Sequence, residues 1–237
     1  MLLGGYQKLT LIDYPGKLAA TVFTVGCSFR CPFCHNPELV DPSSILPLSR
    51  GERKGGVEKE FLDFLKKRQG KLEGVCITGG EPTIQPDLIK FIQKIKKMGF
   101  LVKLDTNGSR PDVLKKLFDL KLVDFVAMDI KNQIKYYDKT TGTKVDKDRI
   151  KLSADLIRNS RVPYEFRTTV VPGIHTEGDF VVIAKWISGA PSYYLQEYRE
   201  LKILDPKLKQ KTKGKKIDLE KIRDKIKKNF GKVGIRK

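Results

Sequence analysis

A chain of 237 residues, 40% hydrophobic with 12 Phe and 8 Tyr, has enough apolar side chain to build one large core, which excludes disorder and a fold that depends on disulfides. No apolar run approaches the roughly 20 residues of a bilayer crossing, and Met1 to Tyr14 lack the basic cluster, apolar stretch and cleavage site of a signal peptide, so the expected location is the cytoplasm. The net charge is +19, of which residues 205–237 (14 basic, 4 acidic) contribute +10; the first reading of that surplus is a solvated, Lys-rich tail, the competing one is long-range steering of an acidic partner, and nucleic acid is disfavoured because no aromatic residues interleave with the charges.

In chain order, the apolar run from Leu18 to Val25 ends at Gly26 and reads as a first strand. After an irregular Pro-, Ser- and Gly-rich stretch from 32 to 56, Val57, Phe61, Phe64 and Leu65 recur at helical spacing and stop at Gly70. Strands are then expected at 74–78, 100–105, 123–129, 164–171 and 192–197, alternating with helices at 86–98, 111–120, 146–159 and 177–187. Six strands separated by helices predict an α/β fold with parallel pairing and right-handed crossovers, either an open doubly wound sheet or a partial or complete barrel. Both architectures put chemistry at the C-terminal ends of the strands, where the polar and Gly-rich segments fall. Residues 1–204 form the expected core domain. Residues 205–237 form a Lys-rich extension in which Ile217, Leu219, Ile222 and Ile226 allow one amphipathic helix.

Three of the four cysteines, Cys27, Cys31 and Cys34, lie within eight residues in a C-x3-C-x2-C spacing at the end of the first strand. A disulfide would leave an odd thiol, so a metal centre is the better reading. Structural zinc wants four closed ligands, and the only nearby fourth candidate is His35, adjacent to Cys34 and awkward on the same tetrahedral ion. Cys76 sits inside an expected buried strand and reads as a small core residue. Three thiolates without a fourth suit a 4Fe-4S cluster that leaves one iron free to bind a small molecule, with zinc as the competing occupant.

With Phe33 before the last cysteine, this loop resembles the signature of the radical SAM superfamily. Gly79-Gly80-Glu81-Pro82 resembles its GGE motif. Asp105-Thr106-Asn107-Gly108, Met128-Asp129-Ile130-Lys131, and Arg167 with Val171-Pro172-Gly173 resemble segments of glycyl-radical-enzyme activases. The opening Gln7 to Lys17 and the run Cys34 to Val40 are similar to the anaerobic ribonucleoside-triphosphate reductase activating group.

The resemblance implies a partial (β/α)6 TIM-like barrel of the radical SAM type, with Cys27, Cys31 and Cys34 holding a 4Fe-4S cluster. It further implies that an electron from flavodoxin or ferredoxin, passed through the cluster to S-adenosylmethionine, yields methionine and a 5′-deoxyadenosyl radical. That radical takes a hydrogen atom from a glycine Cα of a glycyl radical enzyme, such as a class III anaerobic ribonucleotide reductase. The cofactor-facing set implied is Phe33, Gly79, Gly80, Glu81, Asp105, Asn107, Asp129, Lys131, Arg167 and Gln196. Within it Glu81 meets the amino group, Lys131 an anionic group, and Asp105, Thr106 and Asp129 a monovalent cation. His35 is expected to hydrogen-bond a cluster sulfur, and His175 to be exposed. Two other readings use the same residues: a radical SAM enzyme acting on a small molecule or RNA, and a basic binding protein with a zinc-stabilised loop.

Overall fold

In the computed structural model, which describes residues 1–44, 56–200 and 202–237, eight strands form one sheet in sequential order. They are β1 (Leu3–Thr10), β2 (Ala19–Thr24), β3 (Gly74–Gly79), β4 (Leu101–Thr106), β5 (Phe125–Asp129), β6 (Tyr164–Val170), β7 (Ser192–Glu197) and β8 (Lys232–Arg236). β1 pairs antiparallel with β2, and every later neighbour is parallel. The intervening helices are α1 (Gly56–Lys66), α2 (Leu88–Lys97), α3 (Pro111–Asp119), α4 (Tyr137–Thr141), α5 (Lys147–Asn159), α6 (Glu177–Trp186), α7 (Leu208–Thr212) and α8 (Leu219–Ile226). This is a mostly parallel sheet flanked by helices, the partial barrel that was expected. Among the described residues no helix is long and apolar enough to cross a membrane.

The helices form where local chemistry favours them. In α2, Leu88, Phe91, Ile92 and Ile95 recur at i, i+3, i+4 and i+7 and are all buried. Asp146 caps α5 by accepting from the backbone N–H groups of Asp148 and Arg149, and Thr176 with Asp179 closes a capping box on α6.

The apolar core lies between the sheet and the helices. Alternation along the strands sends Val75, Ile77, Val102, Leu104, Phe166, Tyr193 and Leu195 into it. The residues between them, Cys76, Lys103, Asp105, Glu165, Arg167, Tyr194 and Gln196, belong to the opposite, concave face. Cys76 is fully buried as expected, yet it sits on this polar face with its Sγ 3.8 Å from Lys103 Nζ rather than in the apolar core.

Two strands exceed the expected six. β1 is an edge strand held by Tyr6, whose ring packs on Phe61 and Phe64 of α1 at 5.1 and 5.6 Å. β8 ends the Lys-rich extension. There α8 takes in Leu219, Ile222 and Ile226 of the expected set, with Ile217 just before its cap, and buries Ile222 and Ile226; β8 then joins the same sheet beside β7. Part of the irregular stretch expected at 32–56, residues 45–55, lies outside the described residues.

Candidate functional site

All thirteen site residues expected from the sequence line one cavity of about 260 Å³ at the C-terminal strand ends. Each of the six strands β2 to β7 contributes, at its end or in the loop that follows.

The cysteine loop follows β2. Cys31 is buried, Cys27 and Cys34 are half-buried, and burial pushes their thiols up, to about 11 for Cys27 and about 12 for Cys31. The Cys27 Sγ accepts from Phe29 N at 3.4 Å and from Asn107 Nδ2 at 3.8 Å. These donors take the part expected of His35, whose Nε2 instead lies 3.2 Å from the Arg199 carbonyl while its ring stacks on Tyr198. The chain after β7 backs the loop at two further points, Asp205 N to Pro32 O at 3.0 Å and Lys202 to Glu38 at 3.0 Å.

Gly79 and Gly80 allow the β3 loop to press against the cysteine loop. A Cβ on Gly80 would stand 2.1 Å from the Gly26 carbonyl oxygen, and one on Gly79, where φ is +113°, 2.4 Å from Thr24 N. The approach is cemented by Gly80 N to Thr24 O and Glu81 N to Gly26 O, both 2.8 Å. The Glu81 side chain is completely buried. Burial raises its pKa, against the hydrogen bonds it accepts. Oε1 accepts from Thr83 N at 3.1 Å, from Thr83 Oγ1, and from Thr106 Oγ1 at 2.8 Å, while Oε2 accepts from Asn107 N at 2.6 Å. The Glu81 carboxylate thus braces the β3 loop against the β4 loop.

Opposite the cysteines lies a chain of charges. Lys103 donates to Asp105, Arg167 Nη2 donates to Asp105 at 2.9 Å and Nε to Asp129, and Lys131 Nζ donates to Asp129 at 2.9 Å. Burial would raise both aspartates, but Arg167 with Lys103 or Lys131 outweighs it and holds them below the usual carboxylate range. Burial likewise opposes the charge on Lys131, and Asp129 overcomes it. The carboxylates expected to hold a monovalent cation are thus already paired by side-chain cations. Lys103, almost wholly buried, is a participant that sequence reading missed. Its signal was a lysine on the alternation of an otherwise buried strand.

His175 is 3% exposed, contrary to expectation. The turn at Val171-Pro172-Gly173 folds its ring inward, where Nδ1 accepts from Val171 N at 3.0 Å and Nε2 donates to the Lys131 carbonyl at 2.8 Å. The ring also packs against Phe33 and Phe180. Burial lowers its pKa, and the two bonds define one neutral tautomer that ties the β6 turn to the β5 loop.

Among the described residues, no three of His, Cys, Asp and Glu converge closely enough to hold one metal ion. A multinuclear centre, in which each thiolate serves a different iron, makes no such demand. Sulfur acceptors with backbone and amide donors, thiols that a bound cationic centre would deprotonate, and a glycine-walled recess fit a group of that kind.

The fold and these motifs have counterparts in other proteins. Residues 21–187 match the model of the radical SAM superfamily. The chain is 34% identical over 242 residues to the proposed glycyl-radical enzyme activating enzyme MJ1227 of Methanocaldococcus jannaschii, covering 99% of this chain and 95% of that one. It is 30% identical to a pyruvate formate-lyase-activating enzyme of Streptococcus mutans, covering 78% and 72%. In fold it is similar to SuiB of Streptococcus suis bound to S-adenosylmethionine, with a TM-score of 0.65 at 15% identity over 90% of this chain, which spans about half of SuiB's length. A cysteine loop joined to five further strand ends around one cavity, together with kinship along nearly the whole chain, assigns this protein to the radical SAM superfamily as an oxidoreductase of the glycyl-radical-enzyme activating type.

Proposed function

We propose that Cys27, Cys31 and Cys34 hold a 4Fe-4S cluster, that S-adenosylmethionine binds beside it, and that the protein substrate is an anaerobic ribonucleoside-triphosphate reductase carrying the glycine to be activated. The observation that carries this reading is the convergence of the three cysteines and the residues of all six parallel strand ends on one cavity. When bound, the cluster supplies one electron that breaks the bond between sulfur and C5′ of S-adenosylmethionine. Phe29 N and Asn107 Nδ2 stabilise the Cys27 thiolate by donating to it. The backbone of Gly79 and Gly80 bounds the recess for the amino acid end of the cofactor, and Glu81 keeps that backbone in place through Thr106 and Asn107. Lys131 and Arg167 give the opposite wall positive charge for the cofactor's carboxylate, oriented by Asp105 and Asp129. Gln196 lines the same cavity and would face the adenosyl part of a bound cofactor. Flavodoxin or ferredoxin, both acidic electron carriers, suit the basic surface as donors, and the cytoplasm is the expected location.

The test is anaerobic reconstitution with iron and sulfide, then dithionite and S-adenosylmethionine, with 5′-deoxyadenosine quantified beside a Cys31→Ala control. Product from the wild type alone supports the reading. Stoichiometric zinc in place of iron would overturn it.

A further inference from the structure

We propose that Arg236, in the last strand of the Lys-rich extension, is a positioning residue for Arg167 and acts through Glu165. The argument begins with β6, where Glu165 and Arg167 are two residues apart and therefore share the concave face. Glu165 is 2% exposed, and a carboxylate so buried needs a cation or it destabilises the fold. Its partner is Arg236. Nη1 donates to Oε1 at 2.7 Å and Nη2 to Oε2 at 2.8 Å, a bidentate pair. The guanidinium also lies 3.6 Å from the centroid of the Tyr194 ring, which fixes its plane. Strand pairing delivers it, since Arg236 stands in register with Gln196 of β7.

The other cation on this stretch of β6 is Arg167 itself, and Glu165 is among the anions that raise its pKa. Lys103 is engaged by Asp105, and Lys131 by Asp129. Arg167 serves Asp105 and Asp129 together, so any pull towards Glu165 would be felt at both. By satisfying Glu165, Arg236 leaves Arg167 free to face the candidate site. Arg236 also lines a second cavity of about 460 Å³ whose wall includes Arg167 and Gln196, the two residues it shares with the first. A basic residue near the chain's end, one of many in the extension, thus sets the charge arrangement of the site from behind.

The inference rests on the reading of the first cavity as the S-adenosylmethionine pocket, and its test separates the two claims. Full-length Arg236→Met and the double variant Glu165→Gln/Arg236→Met are compared with wild type in two measurements: thermal unfolding of the protein before cluster loading, and equilibrium binding of S-adenosylmethionine after it. Arg236→Met is expected to lower the unfolding midpoint by at least about 6 °C and to weaken binding roughly tenfold. The double variant should recover most of both losses, because a neutral amide makes no claim on Arg167. If it recovers neither, the contribution of Arg236 is to β8 and Tyr194 alone and the inference falls. Unchanged binding by Arg236→Met would also overturn it, since the residue would then be structural only. Should loaded wild type bind no S-adenosylmethionine, the proposed function fails; recovery of the unfolding midpoint by the double variant would still support the link through Glu165, and its absence would overturn it.

Discussion

His175 shows how a single side chain can hold two functional loops together. With Nδ1 accepting from Val171 N and Nε2 donating to the Lys131 carbonyl, the ring must be neutral to make both bonds. Its pKa is depressed in the folded state, so the unfolded chain binds the extra proton as pH falls below the ordinary value of about 6.5. The stability it contributes is therefore present above that pH and is lost as pH drops through the lower, folded value. We expect the unfolding midpoint to fall between about pH 7 and 5. A His175→Gln variant should show a flatter limb over the same window, and a wild-type slope in that variant would contradict the assignment. Arg167 poses a related problem of pairing. Arg167→Met leaves Asp105 to Lys103 alone and the half-buried Asp129 to Lys131 alone, and a loss of about 2 kcal/mol in denaturant unfolding is expected, above that of an exposed ion pair.

The cavity depends on how closely the strand-end loops approach one another. The β3 loop touches the cysteine loop through backbone alone at Gly80, leaving no room for a side chain. Gly80→Ala is expected to push the loops apart and to lower the iron retained after reconstitution several-fold, with the helical circular dichroism signal unchanged. Full iron loading would show that the loops can yield. A change remote from the site should behave differently. Asp146→Ala removes the cap of α5 and should cost about 1 kcal/mol without affecting iron content.

For the molecule as a whole, the basic surplus and the fold cannot be separated by truncation. The extension buries Leu208, Ile222 and Ile226 and adds a strand to the sheet, so cutting after Leu204 would remove core as well as charge. Charge reversal isolates the electrostatics. Lys209, Lys213 and Lys216 are exposed, and changing all three to Glu should slow electron transfer from an acidic donor at low salt while sparing the unfolding midpoint. Rates that do not respond to these changes or to ionic strength would remove the docking role.

Most of what was legible in the sequence depends on neighbours in the chain. The six parallel strands and five of the six helices between them, all but the short α4, could be read because hydrophobic period, Gly stops and capping residues are local. The thirteen residues that meet in the cavity could be read because motifs at parallel strand ends converge wherever the strands are parallel. β1 and β8 were missed for the opposite reason: Leu3-Gly4-Gly5 and Lys232-Val233-Gly234 have weak strand character, and their pairing depends on β2 and β7. The same holds for the burial of His175, the bonds that engage the Glu81 carboxylate, and the pairing of Asp105 by Arg167 and Lys103 and of Asp129 by Arg167 and Lys131. The charge on a side chain is written in its own residue, whereas the partner that neutralises it arrives from a distant strand, and only the folded sheet brings the two together.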